Sequence, residues 1–442
     1  MKKSLFFLFS SLLLFQGLSA KTLTQTLQAV ENAPLLKAAH AKAQAFKHLY
    51  EAQRSLDYPS LDLSYSGTYL KEKPVMYLQS AFPFPLPNNN ALQVQSQNQY
   101  KGSLRLSYPL FSGFAISSLI DKSKFASKKA ALEADDVRRN LYLGVIGLYA
   151  KALSLKKLAA SERTAYDATQ KSYTKAKALY DLGMIAPSEL YRLQASLSAS
   201  KSHFISLQNA YEVTLTELSS LLNTQITDVS QLPDVHKVSL TKLTQEALQK
   251  RPDLLALRML LNEQTSQVAL AKSDYYPKVA LFAQAAQVGD TMELKGDGYT
   301  NKDRSAAGFV INYNLFSGFK TSSELEAAKA AKLSAQEMLS NYQNKVKSEI
   351  KSDYLTFVSL QAQKEATLTG LKAAASYEKL VSGEFQNQLA DADKLARAIA
   401  ATAMARGTLI DIEAKLYTAY AKMLLEVDSQ HFLETLNQGW KK

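Results

Sequence analysis

The sequence of 442 residues contains no cysteine, which excludes disulfide bonds, thiol nucleophiles and the lipid-bearing cysteine that anchors some exported proteins. The 5 histidines show none of the i, i+3 or i, i+4 spacings that metal-ligand pairs use on a helix. Phosphate-binding P-loops and G-x-S-x-G nucleophile elbows are also missing. The sequence therefore predicts no enzyme, no metal site and no bound cofactor.

Positive charge is in excess, with a formal net charge of +12, but no segment concentrates it. Lysines stand singly among alanine, serine and leucine, a pattern typical of solvated helix faces. A nucleic-acid-binding protein would instead carry a basic patch interleaved with aromatic side chains. We therefore expect no nucleic-acid partner.

The first residues have the layout of a secretory signal peptide. Lys2 and Lys3 precede an apolar run from Leu5 to Leu14, and a stretch of small residues ends at Ala20. This run is well short of the roughly 20 residues that span a bilayer as a helix, and no later run reaches that length. We expect cleavage after Ala20, so that the exported chain is periplasmic, secreted or an outer-membrane barrel.

An internal repeat organises the rest of the chain. The segment YPLFSGF at 108–114 recurs as YNLFSGF at 313–319, so that Gly113 and Gly318 lie 205 residues apart. Upstream, Pro59 and Pro277 lie 218 residues apart, as do Pro34 and Pro252. The predicted domains are a signal peptide (1–20), a first repeat (21–222), an inter-repeat segment (223–250), a second repeat (251–427) and a C-terminal tail (428–442).

Each repeat opens with a helical stretch, Leu23 to Leu56 or Leu254 to Tyr275, that ends before a proline. Apolar and polar residues then alternate, which predicts strands with one apolar and one polar face. The apolar positions are Leu61, Leu63, Tyr65, Leu104, Leu106, Tyr108 and Leu110, then Phe309, Ile311, Tyr313 and Leu315. Long polar loops, 71–90 and 289–304, connect them. Transmembrane barrel strands have this pattern, and a half-buried sheet of a soluble protein fits it equally well.

Long helices follow each LFSGF segment. Residues Ala115 to Tyr180 contain no proline, and a helix of that length would extend about 100 Å. A second helix returns from Pro187 to Leu222, and apolar residues recur along it at coiled-coil spacing. These positions are Leu190, Leu193, Leu197, Phe204, Leu207, Tyr211, Leu218 and Leu221, matched by Leu395, Ala398, Ala405, Leu409, Ile412, Leu416, Ala419 and Met423. We expect them to pack against neighbouring helices.

With its export signal, its duplicated order of strands and helical hairpins, its two LFSGF passages and the turn LYDLGMIAPSELYRLQA, the chain resembles the TolC family of outer-membrane channels. The resemblance implies a mixed fold of membrane β-barrel and long α-helical barrel. Each protomer of a homotrimer would give four strands to a twelve-stranded barrel in outer-membrane lipid, above a periplasmic coiled-coil tunnel. The inter-repeat segment and the tail would form a belt around that tunnel.

The resemblance also implies partners and site residues. The channel would serve a tripartite efflux or type I secretion system, with a periplasmic adaptor and an inner-membrane pump or ABC exporter. The hairpin turns would dock the adaptor, through Leu182, Gly183, Met184, Ser188, Glu189, Leu190, Gln388, Leu389 and Leu395. Gly113 and Gly318 would mark the passages from strand to helix.

The entrance residues depart from the family pattern. Where acidic residues follow the glycine of the second tip in the family, this chain has Lys394 and Arg397, with Asp391 and Asp393 close by. Three copies would form charged rings, and a basic ring favours anions. Pairs between neighbouring protomers would then lock the closed state. Ordinary solvated charges on an outer tip are the alternative.

Two other protein classes are compatible with part of the sequence. A periplasmic coiled-coil adaptor or structural protein would share the long helices but would need no amphipathic strands. A secreted enzyme or sugar-binding protein would need a site that the sequence lacks, and it would not need helices of this length.

Overall fold

The computed structural model describes residues 20–77, 91–236, 238–296, 302–427 and 432–433. Two compact units make up the chain. The sheet unit comprises Lys42–Ala131 and Ala256–Asn341, and the helical unit comprises Met1–Ala41, Leu132–Leu255 and Tyr342–Lys442. Each unit takes segments from both halves of the sequence, so neither unit corresponds to a single repeat. The predicted signal peptide and most of the predicted tail lie outside the described residues.

The strands of the described residues lie in the sheet unit. They are β1 (Ser60–Tyr69), β2 (Val75–Tyr77), β3 (Ala91–Gln93), β4 (Asn98–Phe111), β5 (Lys278–Gly289) and β6 (Ala306–Asn312). The four long strands form one antiparallel sheet in the order β1-β4-β5-β6. Its central pair, β4 and β5, joins the two repeats, although a long helical segment separates these strands in the sequence.

The register of the sheet confirms the predicted alternation. One row across the four strands is Leu61, Leu106, Ala283 and Ala307, and the adjacent row is Asp62, Arg105, Gln284 and Ala306. Directly opposed residues of antiparallel strands point to the same side of a sheet. One face of the sheet is therefore apolar, and the other is mostly polar.

The last predicted strand is too long. Alternation through Tyr313 and Leu315 predicts a strand there, but β6 ends at Asn312. Asn312 pairs with Lys278, the first residue of β5, and Pro277 before it has no N–H to donate. Residues 313–316 thus have no sheet partner among the described residues.

The two predicted loops carry more backbone pairing than expected. The ends of the loop at 71–90 lead into the short β2–β3 ribbon, in which Val75 pairs with Gln93; residues 78–90 lie outside the described part. In the loop at 289–304, Val288 N–H donates to Lys302 O at 2.9 Å, and Arg304 N–H donates to Ala286 O at 2.8 Å. Both paired segments are only about three residues long, which is too short for an alternation of apolar and polar residues to predict a strand.

The helices repeat in length as well as in order. They are α1 (Leu23–Gln28), α2 (Pro34–Arg54), α3 (Ala115–Asp181), α4 (Pro187–Leu222), α5 (Leu240–Lys250), α6 (Pro252–Lys272), α7 (Lys320–Gln386) and α8 (Ala392–Val427). Both α3 and α7 have 67 residues, both α4 and α8 have 36, and both α2 and α6 have 21. The duplication predicted from short motifs therefore extends through the secondary structure.

One helix prediction is corrected. The stretch Leu23 to Leu56 is not continuous, because Ala33 has extended backbone and α2 begins at Pro34. Proline fits a first helical turn but cannot donate the hydrogen bond that a continuing helix would need. The coiled-coil positions predicted on α4 and α8 are all buried or half-buried. No described helix combines the length and apolar character needed to cross a membrane.

The inter-repeat segment packs within the helical unit. Lys21 forms a parallel bridge with Val229, and the buried Tyr149 hydroxyl donates to Lys21 O at 2.8 Å. The same hydroxyl accepts a hydrogen bond from Ser230 N–H at 2.9 Å. From the C-terminal tail, the described residue Phe432 is fully buried, with its ring 5.8 Å from that of Tyr142.

Candidate functional site

The first helical tip is a tight turn between α3 and α4. Gly183 has φ +76°, its N–H donates to Tyr180 O, and the N–H of Met184 donates to Leu179 O, both at 2.8 Å. This pair of bonds is the Schellman arrangement, which caps the last carbonyls of a helix and favours glycine at the left-handed position. Pro187 then starts α4 at a position where its missing N–H costs nothing.

The second tip, between α7 and α8, has the same backbone. Gln388 has φ +61°, its N–H donates to Phe385 O at 3.2 Å, and Leu389 N–H donates to Glu384 O at 2.8 Å. Gln388 thus occupies the position of Gly183, as the offset of 205 residues predicts. A residue with a Cβ in this conformation costs about 1–2 kcal/mol.

The two tips share one apolar cluster inside the helical unit. Its buried members are Ala165, Ala176, Leu190, Leu193, Val381, Phe385, Ala392, Leu395, Ala398 and Ile399. Lys175 of α3 also donates to Gln386 O at 3.0 Å, across the two hairpins. Leu190 and Leu395, which the resemblance assigned to docking, are buried in this cluster. They hold the tips together and present little surface to a partner.

The remaining docking candidates lie on the surface. Leu182, Met184 and Leu389 are 74%, 55% and 77% exposed. Gly183, Ser188 and Gln388 are also exposed, and Glu189 is half-buried. Exposed apolar side chains on a turn, next to a rigid buried cluster, suit contact with another apolar surface.

The predicted entrance residues have partners within their own chain. The Asp391 carboxylate accepts the N–H of Lys394 at 2.7 Å and so caps α8. The Lys394 ammonium lies 2.7 Å from a Glu384 carboxylate oxygen. This hydrogen bond raises the pKa of Lys394 above its ordinary value.

Asp393 is held by two arginines of the same chain. Its carboxylate lies 2.6 Å from an Arg192 guanidinium nitrogen and also contacts Arg397. Pairing with a neighbouring protomer is therefore not needed to balance Asp393. Arg192 and Glu384 were missed by sequence reasoning, because neither lies within one helical turn of the residue that it pairs with.

The two strand-to-helix passages share a left-handed backbone. Gly113 and Phe114 have φ +64° and +68°, and Gly318 and Phe319 have φ +61° and +65°. The preceding serine caps the next helix: Ser112 Oγ accepts the N–H of Ile116 at 3.1 Å. Ser317 and Thr321 repeat this bond at 3.3 Å. The repeated letters SGF thus encode a serine that caps the next helix and two residues with left-handed backbone.

A buried ionic cluster of the helical unit was not predicted from the sequence. Arg251 is 4% exposed, and its guanidinium donates to Asp253 at 2.8 Å and to Glu349 at 3.2 Å. Arg139 and Tyr342 also bond to Asp253. Burial opposes ionisation of Asp253, but the hydrogen bonds and charge of Arg251 outweigh it and hold the pKa of Asp253 below its ordinary value.

Glu426 is the least satisfied member of this cluster. It is 3% exposed, its nearest Arg251 nitrogen lies 3.8 Å away, and its Oε2 has no hydrogen-bond partner among the described residues. Burial raises the pKa of Glu426 to about 7. The described residues include no group of three or more His, Asp or Glu placed to hold a metal ion.

Comparison with known proteins gives a family match over most of the chain. The family model described as outer membrane efflux protein matches residues 27–224 and 243–424. A search of curated protein sequences finds no match.

Solved structures with the same fold include three bacterial membrane proteins. A membrane protein from Pseudomonas aeruginosa superposes with a TM-score of 0.80 at 16% identity, over 92% of this chain and 90% of its own. The outer membrane protein VceC from Vibrio cholerae superposes with a TM-score of 0.76 at 16% identity, over 92% of this chain and 95% of its own. The CmeC outer membrane channel from Campylobacter jejuni superposes with a TM-score of 0.76 at 15% identity, over 95% of this chain and 90% of its own.

Proposed function

Since the chain belongs to the outer membrane efflux protein family, we propose that three copies of it form one channel that serves as the exit duct of a tripartite efflux or secretion system. Members of the family are outer-membrane channels and not enzymes, and the helical portion is periplasmic. The finer proposal is that each protomer gives four strands to a shared barrel. Its helical tips then bind a periplasmic adaptor that links the channel to an inner-membrane pump or ABC exporter.

The amphipathic four-stranded sheet carries this proposal. Its apolar face suits lipid and its polar face suits an aqueous lumen. Within the described residues, β1 pairs with β4 alone and β6 pairs with β5 alone, so both outer strands have an unpaired edge. An open edge is not tolerated in hydrocarbon, because its N–H and C=O groups cannot bond to water there. Four strands are also too few to enclose a pore, so closure needs several copies.

Native mass spectrometry of the detergent-solubilised protein tests the stoichiometry. We expect a stable trimer that forms a small, mostly closed pore in planar bilayers. N-terminal sequencing of the same preparation should begin at Lys21 if the first 20 residues are an export signal. A stable monomer at all detergent concentrations would contradict the proposed channel.

The exposed tip residues support adaptor docking. A matched pair of variants tests it: Gly183→Ala and Gly183→Trp carry the same backbone strain, and a Cβ at Gly183 meets no other atom within 4 Å. Only Trp adds bulk outside the turn. We expect Gly183→Ala to retain adaptor co-purification, and Gly183→Trp to lose it while remaining trimeric. Equal adaptor recovery from both variants would contradict docking at this turn.

The entrance proposal concerns Lys394 and Arg397. Arg397 has a largely exposed side chain, and three copies of both residues would place a basic ring around the axis. Such a ring favours anions. Reversing both charges, Lys394→Asp with Arg397→Asp, should shift single-channel selectivity toward cations and raise the opening probability. Lys372→Asp, at an exposed position of α7, is the control. An unchanged selectivity and opening probability would place Lys394 and Arg397 outside the entrance.

A further inference from the structure

An aromatic side chain interrupts the polar face of the sheet. Phe282 is two residues from Gln284 on β5, so it points to the same polar face, and it directly opposes Gly308 of β6. A Cβ at Gly308 would lie 3.3 Å from two carbons of the Phe282 ring. The half-buried ring therefore lies against the β6 backbone, in the arrangement by which an aromatic residue covers a glycine on the next strand.

Arg105 turns toward this ring and away from its acidic neighbour. In the register, Arg105 of β4 has Asp62 on one side and Gln284 on the other, and opposite charges at such positions usually pair. Instead, the guanidinium carbon of Arg105 lies 5.3 Å from the centre of the Phe282 ring. Asp62 accepts a hydrogen bond from the Ser60 hydroxyl at 3.3 Å. The aromatic ring attracts the guanidinium through its face and leaves the N–H donors unused.

These N–H donors are open to a ligand. Within the part of the chain that the structure describes, the Arg105 guanidinium makes no ion pair and no hydrogen bond, and the residue is exposed. By contrast, Lys278 on the same face is paired with Asp274 at 2.8 Å. A guanidinium presents its donors as a planar fork that matches the oxygens of a carboxylate, sulfonate or phosphate group.

We propose that Arg105, supported by Phe282, is a binding site for organic anions on the wall of the channel; this rests on the trimeric channel proposed above, with the polar face of the sheet toward its lumen. The guanidinium binds the carboxylate or sulfonate group of the ligand, and the exposed part of the Phe282 ring contacts its apolar part. Three copies place three such sites at one level of the barrel, where a passing anion meets them.

Lys101 provides a comparison within the same strand. It lies four residues from Arg105 on the same face and is also exposed, and it opposes Ser66 of β1 and Val288 of β5. Each of the two side chains adds one positive charge to the lumen, so both contribute to a general attraction of anions. An ammonium lacks the planar fork. Of the two, Arg105 alone combines that fork with an aromatic surface.

Block of single-channel current by benzenesulfonate tests the site in planar bilayers. We expect the wild-type open current to be blocked, and Arg105→Gln to weaken the block about 10-fold through the loss of charge-assisted hydrogen bonds. Lys101→Gln removes the same charge from the same face and should stay within about 2-fold of the wild type, since salt screens the general attraction. Arg105→Lys removes the fork, and Phe282→Leu removes the aromatic support. Both keep the charge and should weaken the block by a smaller factor than Arg105→Gln.

The outcomes separate this inference from the proposed function. Native mass spectrometry should first show that each variant has the stoichiometry of the wild type. Equal weakening by Arg105→Gln and Lys101→Gln would mean that only the overall charge attracts the anion, which would overturn the site and leave the channel standing. A wild-type channel that conducts without any block by benzenesulfonate would overturn the site as well. A wild-type protein that forms no pore would overturn the proposed channel itself.

Discussion

The two strand-to-helix passages share a backbone but not an environment. Gly113 and Gly318 have φ values within a few degrees of each other, +64° and +61°, and each is followed by a phenylalanine whose backbone also has the left-handed conformation. Yet the first is enclosed by the Ser273–Tyr276 turn, whereas the second is open. Local sequence therefore determines the conformation of these passages, and the neighbouring segment determines how tightly each is packed.

The helical tips and the buried charges differ between the repeats in another way. Gln388 keeps the left-handed conformation of Gly183 without the advantage of lacking a Cβ. The buried Arg251 and Glu426 correspond by offset to Ala33 and Leu221 of the first repeat, and the half-buried Asp253 corresponds to Leu35. The copies thus retained their backbone while their side chains diverged. Substitutions at matched positions of the two repeats can therefore separate the contribution of backbone conformation to stability from that of side-chain packing.

The largest expected effect is at the enclosed passage. Gly113→Ala adds a Cβ in a left-handed conformation, at about 1–2 kcal/mol, and crowds a backbone oxygen, at about 1–3 kcal/mol. Gly318→Ala carries only the conformational cost in an isolated protomer. Urea unfolding of protomers in dilute detergent should therefore show a loss of about 2–5 kcal/mol for Gly113→Ala, and a clearly smaller one for Gly318→Ala. Equal losses would contradict the difference in packing.

The apolar face should respond equally in both repeats. Leu106→Arg and the matched Ile311→Arg each place a charge on the face assigned to lipid, at about 2–4 kcal/mol near the bilayer midplane. We expect loss of membrane-inserted trimer for both, measured by fractionation of outer membranes. Ser107→Arg, on the opposite face, is the control and should assemble. If both apolar-face variants inserted normally, that face would not contact lipid.

Local signals in the sequence predicted the long hairpins closely. The helix starting at Pro187, the turn at Gly183 and the absence of proline from 115 to 180 gave the bounds of α3 and α4 to within a residue. Each of these signals depends on helix capping or on the backbone N–H that proline lacks, and both are determined by residues close in the sequence.

Long-range features could not be predicted in this way. Strand β6 ends before Tyr313 because pairing needs a partner strand, which alternation in one segment does not reveal. The Arg251 Nη1 and Glu426 Oε1 atoms lie 3.8 Å apart, but the two residues are far apart in the sequence and neither belongs to a motif. Leu190 followed the coiled-coil spacing correctly, yet its burial between the tips depends on the second repeat.

The buried charges should make stability depend on pH in the second repeat. Glu426, with its pKa raised from 4.5 to about 7, is protonated in the fold and ionised in the unfolded chain between those values. Stability therefore falls as pH rises through this window, by about 3 kcal/mol in total. Glu426→Gln cannot ionise, so its unfolding free energy should match the wild type near pH 4 and exceed it by that amount near pH 8.

Chemical denaturation at pH 5, 6, 7 and 8 measures this difference. Glu337→Gln, at an exposed position of α7, is the control and should follow the wild-type profile. The lowered pKa of Asp253 acts in the opposite direction, since its stabilisation is lost only as the pH falls through that depressed value. Parallel profiles for the wild type and Glu426→Gln would contradict a neutral buried Glu426.

The smallest expected effect is at the second tip. The backbone of Gln388 has the left-handed conformation, and its side chain is exposed. Gln388→Gly therefore removes backbone strain without removing a buried contact, and it should stabilise the protein by about 1 kcal/mol. The reciprocal Gly183→Gln should destabilise it by a similar amount. Asn387→Gly is the control: its φ is not positive, so glycine relieves no strain there, and the substitution removes the bond that the Asn387 side-chain amide donates to Gly383 O at 3.0 Å. It should therefore not stabilise the protein. A destabilising Gln388→Gly would mean that the Gln388 side chain makes contacts in the assembled channel that outweigh its strain. The same tip would then be a protein interface and not a free turn.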